Sequence, residues 1–286
     1  MTRSTYRIGI ALVTGSAIAW SLAGLFTRLI PLDLWTLLAW RGVFGSIGIV
    51  LVDVAMQRAA AWRNLRRLGW QGWLYAGVGS VCMILYIAAL RHTTVAHVAV
   101  IYATLPFFSA ALGWLALREV PSSSALLASL AAFAGVALMV GFGSQGSLFG
   151  DALAAGMTAG MAMVMVIVRR FRTLPAMTAA AVSAFLSGLV CWPLGHPTHV
   201  SAADLILLAL FGFVNSAAGL ALFTLGARLL PTMETALIGA LDTPLAPLWV
   251  WLVFSETPNS ATIAGGAIVF VAIGTYLTRS AFTPSG

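Results

Sequence analysis

The sequence predicts an all-α integral membrane protein of ten transmembrane helices, built as two inverted five-helix repeats with both termini in the cytoplasm. Three observations lead there: a shortage of charge, a division into apolar runs, and an echo between two stretches 137 residues apart. Only 8% of the 286 residues are charged against 60% hydrophobic, and the mean hydropathy is +0.98. An average soluble domain carries roughly 25% charged residues. A chain this poor in charge must face lipid over most of its surface.

A spanning helix needs roughly 20 apolar residues. The chain offers ten such runs, near 8–30, 33–54, 72–90, 95–117, 123–142, 151–168, 174–194, 204–227, 233–254 and 259–278. The first follows the short basic stretch Met1–Arg7 without a small-residue cleavage site, so it reads as a retained span rather than a signal peptide. The sixth is the shortest run, and the tight Leu229-Leu230-Pro231 link joins the eighth to the ninth. A proline interrupts the fourth (Pro106) and the ninth (Pro244). Both positions read as hinges, because a proline removes one helical hydrogen bond.

The echo pairs Arg91, Glu119 and Pro121 with Arg228, Glu256 and Pro258, which divides the chain into residues 1–143 and 150–280. The prolines inside the runs are offset by one more place. All fifteen basic residues are arginines. With the N-terminus in the cytoplasm, twelve fall on that side (3, 7, 58, 63, 66, 67, 118, 169, 170, 172, 228 and 279), while Arg28 and Arg91 fall outside and Arg41 lies within a span. That bias fixes both termini inside. Five spans per repeat is an odd number, so the second copy enters the membrane upside down, the design of many transporters. The net charge of +7 thus reflects loop topology, not nucleic acid. The segment Trp62–Arg67 either forms a small amphipathic helix at anionic headgroups or only sets topology.

Ten spans in two halves, a proline-bearing helix ending in Glu119-Val120-Pro121, Gly135 in the next, the repeated ending Glu256-Thr257-Pro258, and Arg41 in the second span together resemble the EamA-type drug/metabolite transporters. Within that family the chain is similar to bacterial amino-acid exporters, those for aromatic amino acids included. The resemblance implies a multi-pass carrier of the bacterial cytoplasmic membrane that moves small organic solutes outward. It also implies a central cavity lined by the first, third, fourth, sixth, eighth and ninth helices.

The residues themselves nominate a site. Asp242 lies about nine residues into the ninth run, roughly 13 Å deep at 1.5 Å per residue. An ionisable group there is costly and is a functional candidate, with a buried structural partner as the other reading. Arg41 reaches a similar depth from the other side, which allows an internal ion pair or a coupling role with Asp242, or a tie to backbone carbonyls. Trp20, Tyr86 and Tyr102 offer aromatic faces with polar edges to an amphipathic solute, or pack the bundle. Asn215 needs a partner from solute or a neighbouring helix. His97 and Glu234 hold matched positions, either as proton-sensing gates or as residues facing water. Glu119 and Glu256 read as helix ends beside Arg118 or solvent. Gly156 and Gly160, like Gly15, Ala19 and Ala23, form small-residue faces for close packing, and the nearby methionines are core filler or a permissive lining. Cys82 and Cys191 read as small hydrophobes.

The sequence has no Walker phosphate loop, no HExxH or CxxC pair and no GxSxG. No cofactor, metal site or enzymatic activity is expected. The expected partners are a small-molecule substrate and the lipid bilayer, with energy drawn from the solute's own gradient or an ion.

Overall fold

The computed structural model describes residues 3–57, 64–66, 68–93, 95–140, 147–255 and 260–282, and every regular element among them is helical. Trp62, Arg63 and Arg67 of the proposed amphipathic segment, and the Glu256-Thr257-Pro258 landmark, lie outside the described residues. Eight helical stretches are long and apolar enough to cross a membrane: Ser4–Thr27, Leu34–Ala55, His97–Leu117, Leu148–Arg170, Ala176–Leu194, Ala202–Ala227, Thr232–Phe254 and Ser260–Thr278. Two further apolar runs are also helical, Gly69–His92 with 24 residues and Ser123–Val140 with 18. The protein is a multi-pass, all-helical membrane protein. In lipid the backbone can satisfy its own hydrogen bonds within each helix, which is why apolar runs of this length become helices.

In chain order the helices are α1 (Arg3–Ser21), α2 (Ala23–Leu29), α3 (Leu34–Gln57), α4 (Gly69–His92), α5 (Val95–Tyr102), α6 (Leu105–Leu117), α7 (Ser123–Val140), α8 (Leu148–Arg170), α9 (Ala176–Cys191), α10 (Ala202–Phe211), α11 (Gly219–Ala227), α12 (Thr232–Gly239), α13 (Asp242–Phe254) and α14 (Ser260–Phe282). A π-helical segment, Gly212–Ala218, links α10 to α11. The sixth run is not the shortest, since α8 holds 23 residues. Its ends read as loop because they are polar: Ser147 caps the helix by accepting from the Gly150 amide, Asp151 sits in the first turn, and Arg169 and Arg170 close the last. Those charges suit the helix dipole. Asp33 caps α3, its carboxylate accepting from the Trp35 and Thr36 amides and the Thr36 hydroxyl. Burial by itself would raise that carboxyl, but these hydrogen bonds prevail and hold its pKa below the usual value.

The two proline-bearing runs break at corresponding places. Helix α5 gives way to α6 at Ala103-Thr104, and α12 to α13 at Ala240-Leu241. Pro106 and Pro244 cannot donate to the carbonyls of Tyr102 and Ala240, four residues back. Each break is tightened by shorter-range bonds, Thr104 N to Ile101 O at 3.0 Å and Leu241 N to Ile238 O at 3.1 Å. Both runs also end alike. Arg118 (φ 58°) and Ser255 (φ 55°), again 137 residues apart, adopt the left-handed conformation unusual for residues with a Cβ. After α6 this turn is closed by the Glu119 amide donating to Gly113 O at 3.2 Å.

Helix α3 packs on α9, α7 on α14, α4 on α8 and α9, α6 on α8 and α12, and α1 on α11 and α13, while the π segment lies against α3. Two crossings bring glycine backbones together. A Cβ on Gly42 would meet Gly188 Cα at 2.5 Å, and a Cβ on Gly265 would meet Gly135 O at 2.3 Å. Gly160 seats α8 on Cys82 of α4, and Gly15 faces Leu222 of α11, so these small-residue faces pack the bundle. Cys82 and Cys191 are buried free thiols.

Candidate functional site

A cavity of about 520 Å³ lies at the centre of the bundle. Trp20, Arg41, Tyr86, Tyr102, Asn215 and Asp242 all line it, although they come from six separate runs of the chain. The second and seventh runs share in the wall as well, through Arg41 and Gly42 and through Ser183, Ala184 and Ser187, which corrects the six-helix lining implied by the family resemblance. Met157 and Met161 line it too, whereas Met165 is buried and accepts a hydrogen bond from the Ser109 hydroxyl.

Local structure explains how each group is presented. Asp242 is the first residue of α13, directly after the helix break, where the dipole favours a negative charge. Its Oδ1 accepts from the Thr243 hydroxyl at 3.0 Å. Asn215 sits in the π segment, and its side-chain amide donates to the carbonyls of Ala19 (3.1 Å) and Trp20 (3.2 Å). A neighbouring helix therefore satisfies that donor, and π segments often mark functional sites. Trp20 lies against Phe223, with ring centroids 4.9 Å apart, and over Gly219. A Cβ at Gly219 would meet the indole at 2.6 Å, so Gly219→Val should displace Trp20 into the cavity. The expected outcome is a changed intrinsic fluorescence and a weaker solute response; an emission spectrum identical to the parent's would contradict this placement. Pro106 and Pro244 are buried at the two breaks and do not line the cavity.

Arg41 faces the cavity with Met83 Sδ at 3.7 Å from its Nη2 and the Phe211 ring centroid 5.7 Å from its Cζ. Among the described residues the ion pairs are His97–Asp151 and Arg169–Glu119; Arg41 and Asp242 share the cavity without pairing.

The two ion pairs mark what sequence reasoning missed. Glu119 does stand at a helix end, but its partners are neither Arg118 nor solvent. Its Oε1 accepts from Arg169 Nε at 2.7 Å, and its Oε2 accepts from the Thr232 amide and hydroxyl at 3.2 and 3.3 Å. Arg169 also donates to the Arg228 carbonyl, and Arg228 to that of Leu174. One carboxylate thus ties the ends of α6, α8 and α12 at the face where Arg118, Arg169, Arg170, Arg172 and Arg228 gather. Above this knot Tyr75 and Thr224 are buried, their hydroxyls 3.5 Å apart. At the same face Glu234 accepts from Tyr6 at 2.8 Å. At the opposite ends of α5 and α8, His97 Nδ1 lies 3.0 Å from Asp151, which also accepts from Thr93 at 2.8 Å. His97 and Glu234 are cross-helix ties, not merely groups facing water. Asp53, 3% exposed, accepts from Thr178 at 2.7 Å and joins α3 to α9. As an acid inside an apolar run, it was the one of these signals visible in the sequence.

A cavity with polar and aromatic lining lies inside a bundle of apolar helices with two matching proline breaks. A sequence match covers the first half of the chain. Residues 7–141 match the EamA-like transporter family. This EamA-like region contributes Trp20, Arg41, Tyr86 and Tyr102 to the cavity. No curated protein matches the chain. A solved structure, described only as the crystal structure of a protein, superposes with a TM-score of 0.80 at 16% identity, covering 99% of this chain and 100% of that one. At that identity the likeness is one of fold.

Proposed function

We propose that the protein is a secondary carrier of the bacterial cytoplasmic membrane, exporting small organic solutes by alternating access around the central cavity. Amino acids with aromatic or large apolar side chains are the first choice of solute. The observation that carries this reading is the convergence of Trp20, Tyr86, Tyr102, Asn215 and Asp242 on one cavity of about 520 Å³, a volume suited to such a molecule. The carboxylate of Asp242 attracts an ammonium group, and the rings receive the side chain.

Ten crossings as two inverted repeats belong to the same reading, and the packing supports it. Exchange each helix of the first half for its counterpart in the second, and the main helix pairings map onto one another, the contact of α6 with α12 apart. Helices α3 and α9 pair with each other, as do α7 and α14; α4 on α8 corresponds to α11 on α1, and α6 on α8 to α13 on α1. The paired breaks and the paired left-handed turns at Arg118 and Ser255 lend the same support. In such an arrangement, the half-helices α5–α6 and α12–α13 rock about Pro106 and Pro244, and the Glu119 knot closes the cytoplasmic end.

The test is uptake into proteoliposomes with a panel of labelled amino acids and organic cations, repeated with Asp242→Asn. Amino-acid flux above empty vesicles, reduced about tenfold or more in the variant, is the expected result. Flux of cations alone would instead favour a drug exporter, and a normal rate in the variant would remove Asp242 from the mechanism.

A further inference from the structure

Arg41 and Asp242 carry opposite charges into one cavity, yet they do not neutralise each other. A guanidinium has five N–H donors. Around this one stand a thioether sulfur, the Phe211 ring and, within electrostatic reach, the Tyr86 hydroxyl and the Cys191 thiol. None of these is a strong acceptor for a cation, and a charge at this depth is costly unless something answers it. Asp242 is in a matching position: one oxygen accepts from Thr243, while the carboxylate keeps further accepting capacity. Tyr86 lines the same cavity, within electrostatic reach of both charges.

We propose that Arg41 anchors the carboxylate of the transported solute while Asp242 anchors its ammonium, so that the cavity selects zwitterions over amines or acids with the same side chain. This rests on the carrier reading above and narrows it to a charge pattern. An amine bound to Asp242 leaves the guanidinium unanswered and repels it. An acid bound to Arg41 does the same to the carboxylate. A molecule bearing both charges satisfies both groups and leaves its side chain to Trp20 and Tyr102. The protein then needs no internal ion pair, because the solute completes it.

The experiment compares phenylalanine, phenethylamine and 3-phenylpropionate, which share a ring and differ in charge, both as fluxes in proteoliposomes and as thermal shifts of the purified protein in detergent. Phenylalanine should exceed the other two by about tenfold or more in the parent. Arg41→Gln should erase the preference over phenethylamine, Asp242→Asn should erase that over 3-phenylpropionate, and Arg41→Lys should retain part of it. Equal loss of all three compounds in Arg41→Gln would overturn the proposal and leave Arg41 a packing residue. A phenylalanine-specific thermal shift that disappears in Arg41→Gln, without flux in any preparation, would uphold the site and overturn the carrier reading. Absence of both flux and shift for phenylalanine, with transport of other solutes intact, would overturn the site and uphold the carrier.

Discussion

Replacing Glu119 with glutamine opens the arginine-rich end of the protein. The carboxylate ties three helix ends with one charge-assisted bond from Arg169 and two bonds from Thr232, and the paired side chains are only 14% and 26% exposed, so water screens them weakly. A hydrogen bond to a charged group contributes about 1.5–3 kcal/mol, which corresponds to roughly 10- to 150-fold in a two-state equilibrium. The variant should therefore populate the conformation open at that end by about that factor more. The measurement is maleimide labelling of Thr224→Cys, applied from the arginine-rich side in a background lacking Cys82 and Cys191. Thr224 is fully buried in the closed arrangement, so its reactivity reads the opening directly. Arg169→Gln should behave the same way, since it removes the other half of the bond. Unchanged labelling in both variants would show that apolar packing, and not this knot, holds the end shut.

The second large effect is on assembly. Gly265→Leu should prevent the close crossing of α14 on α7, because even a Cβ at that position would sit 2.3 Å from the Gly135 carbonyl oxygen, 2.5 Å from Met139 Cγ and 2.8 Å from the Met139 amide nitrogen. Two of those three neighbours are backbone and cannot swing aside. Overpacking of this kind costs about 3 kcal/mol or more. The expected outcome is a large drop in thermal midpoint or loss of the monodisperse peak in size-exclusion chromatography. Gly274→Leu, where a Cβ meets nothing within 4 Å, is the control on the same helix. A parent-like midpoint for Gly265→Leu would contradict the crossing described here.

Some features were legible because they are conspicuous against an apolar background. A single acid or proline in a run of Leu, Ala and Val stands out, which is how Asp242, Arg41, Pro106 and Pro244 were found. The Glu119 knot was not legible, since its partners come from α8 and α12, 50 and 113 residues away, and their meeting depends on how three helices are rotated and how far each extends. The same holds for His97 with Asp151 and for Glu234 with Tyr6. The π segment around Asn215 was not legible either: Asn215 itself stood out as a polar residue, but nothing in the run told a π turn from an α turn.

That the chain lives in lipid as helices follows from local hydropathy and backbone hydrogen bonding, without reference to any neighbour. The breaks near Pro106 and Pro244 are local in origin too, because a proline's missing donor acts on its own helix. It took the packing of the helices to bring six polar and aromatic residues from six runs into one cavity, with Arg41 and Asp242 facing it without pairing to each other. Those outcomes depend on which face each helix turns inward. In an apolar bundle that is settled by close contacts such as Gly42 on Gly188 and Gly135 on Gly265, between residues more than a hundred positions apart.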